Sequence, residues 1–182
     1  MSEKEIARQL TKYCNLKEII PPQQFGFRAK SSGEIALFHS LDGWMKAIDK
    51  GKMAGALLVD LSKAFDTVSH QKLLIELASI GCSISSLTWF ASYLTDKFQR
   101  VVQPPVVTEW KPVTRGAPQG GGLSPHFLNT YVKGLPKAIQ SYSMQFADDL
   151  TVSEHSKDLQ EISIKMSRTF RDIMNFRLKN RN

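Results

Sequence analysis

The run Met53-Ala54-Gly55-Ala56-Leu57-Leu58-Val59 constrains this chain more than any other stretch. It carries no charge, it is bounded by Gly51-Lys52 before and Asp60 after, and it is too short for an ordinary helix. It therefore predicts a strand buried on both faces. A carboxylate at the exposed end of a buried strand is where α/β folds place their sites. Asp60 is in that position.

A second acidic feature has the same setting. Asp148-Asp149 lies between the apolar runs Met144-Gln145-Phe146 and Leu150-Thr151-Val152, which predicts a hairpin over about 142–153 with the acids at its tip. Taken alone, the pair is explained by turn chemistry, because an Asp side chain bonds its local backbone. If the two strands lie side by side, three carboxylates converge from distant parts of the chain. Clustered carboxylates repel and need shared protons or cations. Oxygen-only ligands select hard ions, Mg²⁺ above all where phosphates supply the remaining ligands. Two such ions roughly 3.5–4 Å apart clamp the attacking and leaving oxygens of a phosphoryl transfer. A pair of acids for glycoside hydrolysis is the competing use. The basic composition and the lack of an aromatic-rich sugar groove disfavour it.

The remaining pattern alternates helices with short strands. Ile6, Leu10, Tyr13, Leu16 and Ile20 predict a helix over 3–20, stopped by Pro21-Pro22. Residues 23–30 read as a loop or short extended piece. Ser31 and Ser32 suit the cap of a second helix, with an apolar face of Ile35, Leu37, Phe38, Leu41, Trp44, Met45 and Ile48, ended at Gly51. Helices follow at about 69–80 and 83–94. Strands at 98–102 and 109–113 flank a Pro104-Pro105 turn. Residues 115–122 (RGAPQGGG) form a glycine-rich loop without the GK[ST] ending of a nucleotide-binding P-loop. Ser124 suits an N-cap and Pro125 a first helical position, with the helix running to about 133. A last helix over 157–178 places Leu159, Ile162, Met166, Phe170 and Ile173 on one face.

Charge and composition narrow the partners. The chain has 182 residues and a net charge of +7, a balance that suits a polyanion. Cys14 and Cys82 are far apart with no Cys or His at ligand spacing, so neither zinc nor a disulfide framework is expected. His39, His70, His126 and His155 are scattered and read as surface or packed side chains. No apolar run reaches the length of a membrane span, so no membrane partner is expected. The N-terminus lacks the build of a signal peptide, and an intracellular setting, nuclear or cytoplasmic, is expected.

Four stretches together carry a resemblance. Leu58-Val59-Asp60-Leu61-Ser62-Lys63-Ala64-Phe65-Asp66-Thr67-Val68, Arg115-Gly116-Ala117-Pro118-Gln119-Gly120 with Leu123-Ser124-Pro125, and Phe146-Ala147-Asp148-Asp149 resemble, in order and spacing, three palm motifs of a reverse transcriptase. Gln24-Phe25-Gly26-Phe27-Arg28 is similar to the upstream motif of the non-LTR retrotransposon branch. The resemblance implies an α+β fold, with an antiparallel palm sheet and helices packed on one face. It implies a partial fingers segment over 1–52 and a palm over 53–182, without a thumb.

The same resemblance implies roles. Asp60 and Asp148 are the principal ligands of two Mg²⁺ ions (Mn²⁺ being the alternative), with Asp149 beside them as a third catalytic carboxylate. Phe65 is the aromatic gate that leaves no room for a 2′-hydroxyl, although a core Phe after a strand reads the same way. Leu61, Pro118, Gln119 and Gly120 shape the nucleotide pocket. Arg28 and Arg115 face nucleic acid, with a structural part open for Arg28. Asp66 has only a helix cap to its name. The implied partners are an RNA template, a DNA primer and deoxynucleotides. Departures from the pattern are Phe146 for the usual Tyr, Gly121-Gly122 after the Pro-Gln-Gly, and His126 and Lys133-Gly134 in the helix that follows. The implied activity is RNA-directed DNA synthesis. The rival expectation is a truncated, catalytically incompetent copy that at most binds nucleic acid. A group II intron-type maturase shares the palm and fits the wording of the motifs less well.

Overall fold

A computed structural model describes residues 2–61, 63–118 and 120–181, the side chain of Arg181 apart. Two helices open the chain, α1 (Glu3–Leu16) and α2 (Gly33–Asp49), followed by the strand β1 (Met53–Asp60). Next come α3 (Ala64–Thr67), α4 (His70–Ser79) and α5 (Ile84–Leu94). Four two-residue strands follow: β2 (Phe98–Gln99), β3 (Val102–Gln103), β4 (Val106–Val107) and β5 (Lys111–Pro112). The chain closes with α6 (Ser124–Val132), α7 (Leu135–Ala138), β6 (Tyr142–Phe146), β7 (Asp149–Ser156) and α8 (Leu159–Arg181). The result is a mixed fold of helices and antiparallel sheet.

Serine hydroxyls start four of the helices. Ser2, Ser32, Ser69 and Ser83 each accept from the amide three residues on, satisfying a donor that the helix itself leaves unpaired. Ser124 differs from the sequence expectation: it is the first helical residue, and Leu123 precedes it as the cap. α1 also ends earlier than expected, at Leu16, where Glu18 turns to φ 49° before the two prolines are reached.

The main sheet has the order β1-β7-β6 and is antiparallel throughout. This corrects the reading of β1 as a strand buried on both faces: it is an edge strand. Its exposure alternates along its length, and Leu58 is 76% exposed. A continuous apolar run is compatible with either placement, because periodicity is silent where every residue is apolar.

The sheet is covered on both faces, which corrects the expectation of helices on one. Leu150 and Val152 point into a core with Leu135, Ile139 and Ile173, on the side of α7 and α8. Thr151 and Ser153 alternate with them and face α2, where Trp44 Nε1 donates to Ser153 Oγ at 2.8 Å. Gly55 of β1 lets α8 approach: a Cβ there would meet Ile162 and Met166 at 2.8 Å.

The second core is helical. Ile6, Leu10, Leu73, Leu77, Phe90, Leu94, Leu123 and Phe127 bring α1, α4, α5 and α6 together. Phe127 is fully buried and meets Phe90 edge-on at 5.6 Å. The short strands form two nested ladders, β2 with β5 and β3 with β4, so the expected strands at 98–102 and 109–113 make one projecting hairpin. No helix among the described residues is long and apolar enough to cross a membrane.

Candidate active site

The acidic residues meet at one end of the main sheet. Register sets Asp60, the last residue of β1, directly opposite Asp149, the first of β7. Residues so paired have Cβ atoms about 5 Å apart, and like charges directly opposite destabilise the pair. Asp148 lies in the two-residue turn between β6 and β7, where Phe146 and Asp149 are the closing pair. Its carbonyl accepts from the Leu61 amide at 3.0 Å, which continues the ladder one step past Asp60. The backbones carrying all three acids are therefore locked together by main-chain hydrogen bonds. Asp60 and Asp149 are exposed and Asp148 is half-buried.

The donor set is oxygen-only and fits a hard divalent cation. Among the described residues no three Asp, Glu, His or Cys side chains are grouped closely enough to hold a metal ion by themselves.

The turn itself is strained and braced. Ala147, its first residue, has φ 57°, a region that costs a residue with a Cβ about 1–2 kcal/mol. The segment carrying Gln24 and Phe25 lies against β6 through a single parallel bridge. Phe25 N donates to Gln145 O at 2.7 Å, and Gln145 N to Gln23 O at 2.8 Å. The Gln24 side chain, 1% exposed, then reaches the turn: its Oε1 accepts from Ala147 N at 3.1 Å and from Gly26 N at 2.7 Å. Its Nε2 and that of Gln145 both donate to Ala147 O, at 3.3 and 3.0 Å. Gly26 completes the contact, because a Cβ on it would stand 2.2 Å from Ala147 N. Asn129 of α6 holds the Gly26 carbonyl at 3.0 Å. Sequence reading found residues 24–28 as a motif but missed this role, because nothing in a sequence marks which glutamine is buried.

Phe65 and the glycine-rich loop are brought together by a second docking. Gly116 N donates to Val68 O and Ala117 N to Phe65 O, both at 2.8 Å, and Ser69 bridges Arg115. Gly116 has φ 95°, and a Cβ there would press on Asp66 and Phe65 backbone at 3.1–3.2 Å. His70 Nε2 donates to Gly116 O at 2.8 Å, and the Ser124 hydroxyl to Pro118 O. Glu3 accepts from Leu123 N at 3.1 Å beside Gly121. Burial, with Glu3 beside it, pushes the neighbouring Tyr93 hydroxyl up to about 12. Pro118 and Gly120 flank position 119; Gln119 itself lies outside the described residues.

The other expected site residues have mixed placements. Phe65 is half-buried, packed with Ala64, Leu128 and Val132, and meets the Phe27 ring edge-on at 6.0 Å. The Leu61 side chain joins the apolar cores and its amide is engaged by Asp148. Arg28 donates to the carbonyls of Pro21 and Gln24 at 3.1 and 3.2 Å, which folds its own loop. Arg115 lines an open groove with Lys63, Lys97, His70 and Pro118, beside the glycine-rich loop.

The reverse transcriptase (RNA-dependent DNA polymerase) family pattern matches residues 2–181. The chain is 30% identical over 118 residues to the retrovirus-related Pol polyprotein from type-1 retrotransposable element R2 of Popillia japonica, over 58% of this chain and 20% of that protein. It is 24% identical over 165 residues to the RNA-directed DNA polymerase from mobile element jockey of Drosophila melanogaster, over 86% of this chain and 18% of that protein. It is 26% identical over 134 residues to the probable RNA-directed DNA polymerase from transposon BS of the same species, over 74% and 15%. The matched region is thus at most 20% of each of these relatives. With that pattern spanning nearly its whole length, this chain belongs to the reverse transcriptase family.

Proposed function

We propose that this chain is the palm-centred part of an RNA-directed DNA polymerase, with residues 1–52 contributing to the fingers and 53–182 forming the palm. The observation that carries the reading is the register of Asp60 against Asp149 with Asp148 in the adjoining turn. Like-charged partners so placed favour a cation between them. Asp60 and Asp148, with Asp149 beside them, would hold two Mg²⁺ ions, and Mn²⁺ has the same donor preference. When bound, such ions supply positive charge to the attacking and leaving oxygens of a nucleotidyl transfer.

The chain's own residues bind and orient the substrates. The main-chain bond from Leu61 to Asp148 fixes the spacing between the two acidic strands. Phe65 stands at the start of α3, where its ring faces the sugar of an incoming deoxynucleotide and excludes a 2′-hydroxyl. Pro118 and Gly120, with Gln119 between them, shape the nucleotide pocket. Arg115 and Lys63 offer charge to the template backbone along their groove, and Arg28 rigidifies the loop beneath.

Primer extension on an RNA template with a DNA primer and deoxynucleotides tests the proposal. Asp148→Asn is expected to remove extension while far-UV circular dichroism stays unchanged. Equal extension by both proteins would sink the assignment. Salt-sensitive binding of the primer–template with no incorporation by the wild-type chain would instead support the binding-only reading.

A further inference from the structure

We infer that Gln24 is a positioning residue for the acidic turn: its buried amide sets the backbone on which Asp148 stands, and so sets the affinity of the site for a divalent cation. The inference rests on the metal-site reading above. Gln24 lies far from the three acids in sequence and belongs to none of the segments that carry them. Its side chain nevertheless grips both polar groups of Ala147, the residue immediately before Asp148. One oxygen serves two amides, Gly26 N and Ala147 N, so the turn and the 24–28 loop share a single anchor. Gln145 reinforces the same carbonyl from within β6. Ala147 holds φ 57°, a conformation its own side chain disfavours, so the hydrogen bonds around it are what define the direction of the following residue. Here the amide holds the main chain of the residue before Asp148, and so acts on the carboxylate through one residue of backbone.

The test uses Mn²⁺ as the probe on the full chain. Gln24→Met keeps the length of the side chain and removes all its hydrogen bonds. Mn²⁺ affinity is read by electron paramagnetic resonance at a temperature where circular dichroism shows the variant folded, with Asp148→Asn as reference. Gln24→Met is expected to weaken Mn²⁺ by up to about tenfold, the low end of the effect seen when a ligand's own hydrogen-bond partner is removed. In parallel, Ala147 amide exchange should accelerate while the amides of Leu73 and Phe127 keep their protection. Unchanged Mn²⁺ affinity in Gln24→Met, with affinity lost in Asp148→Asn, overturns the inference and leaves the metal site standing. Equal affinity in wild type and Asp148→Asn removes the metal site, and the inference falls with it. Should Gln24→Met not fold, the wild-type chain still decides. Coupling between two sites is reciprocal, so Mg²⁺ must slow exchange at the Gly26 amide, which carries no metal ligand. Gly26 exchange indifferent to Mg²⁺ would likewise overturn it.

Discussion

Ala147 concentrates the residue-scale problem of this protein. The turn needs a positive φ at its first position, a place where glycine is the common choice, and the chain supplies alanine there. The cost is offset from outside, by Gln24, Gln145 and the absent side chain of Gly26. His126 shows a different residue-scale balance. It is half-buried on α6 with Nε2 3.1 Å from Thr11 Oγ1, and the Thr11 hydroxyl already donates to Ala7 O at 2.7 Å. The ring therefore donates through Nε2, and protonation would charge Nδ1. Burial holds its pKa below the ordinary 6.5. The unfolded chain then binds more protons than the folded one just below that value, so stability falls as pH drops through the window. His126→Gln keeps a donor and cannot titrate. Urea midpoints for the two proteins are expected to diverge as pH falls through the ordinary histidine value of 6.5 and below it, with the wild type losing more. Parallel losses would refute the assignment.

At the scale of elements, apolar faces were only partly what periodicity implied. In α2 the packed side sets the small residues Ala36, Ser40 and Ala47 around Trp44, while Phe38, Met45 and Ile48 are 68, 61 and 57% exposed. Close approach to a sheet selects small side chains, and a count of large ones points to the wrong side. In α8 the buried stripe runs Ile162, Thr169, Ile173 and Asn180, with Met166 and Phe176 half-buried beside it. Leu159 and Phe170, expected on the same face, are 65 and 48% exposed. The two readings separate experimentally. Ile173→Ala is expected to cost about 2–5 kcal/mol in urea unfolding, as for a fully buried side chain. Phe170→Ala should cost well under that, because much of its surface already faces solvent. Equal losses would restore the face drawn from periodicity.

For the whole molecule, the two cores divide the labour. The helical core of α1, α4, α5 and α6 carries the glycine-rich loop, and the sheet with α7 and α8 carries the acids. Asp60 and Phe65 are joined by the short passage from β1 to α3, and residues 24–28 tie the acidic turn to α6 through Asn129. The groove of Lys63, Lys97 and Arg115 lies on the helical side, in a chain of net charge +7. Its affinity for an RNA–DNA primer–template is expected to fall steeply with salt, and Arg115→Ala to reduce the slope of log K against log salt by about 1. A slope unaltered by that substitution would remove Arg115 from the interface.

The sequence by itself determined several ends of elements and the residues at them. Asp60 closes β1, Asp148 sits in the turn, and serines start helices, because a turn, a cap or a charge at a strand end is decided by neighbours within a few residues. Tertiary structure alone decided that β1 is an edge strand, that α2 packs by its small side, and that Gln24 is the buried brace of the acidic turn. Each of these depends on which distant surface arrives opposite. A strand's place in a sheet, a helix's packed face and a side chain's burial are properties of the partner as much as of the residue, and the local pattern does not contain the partner.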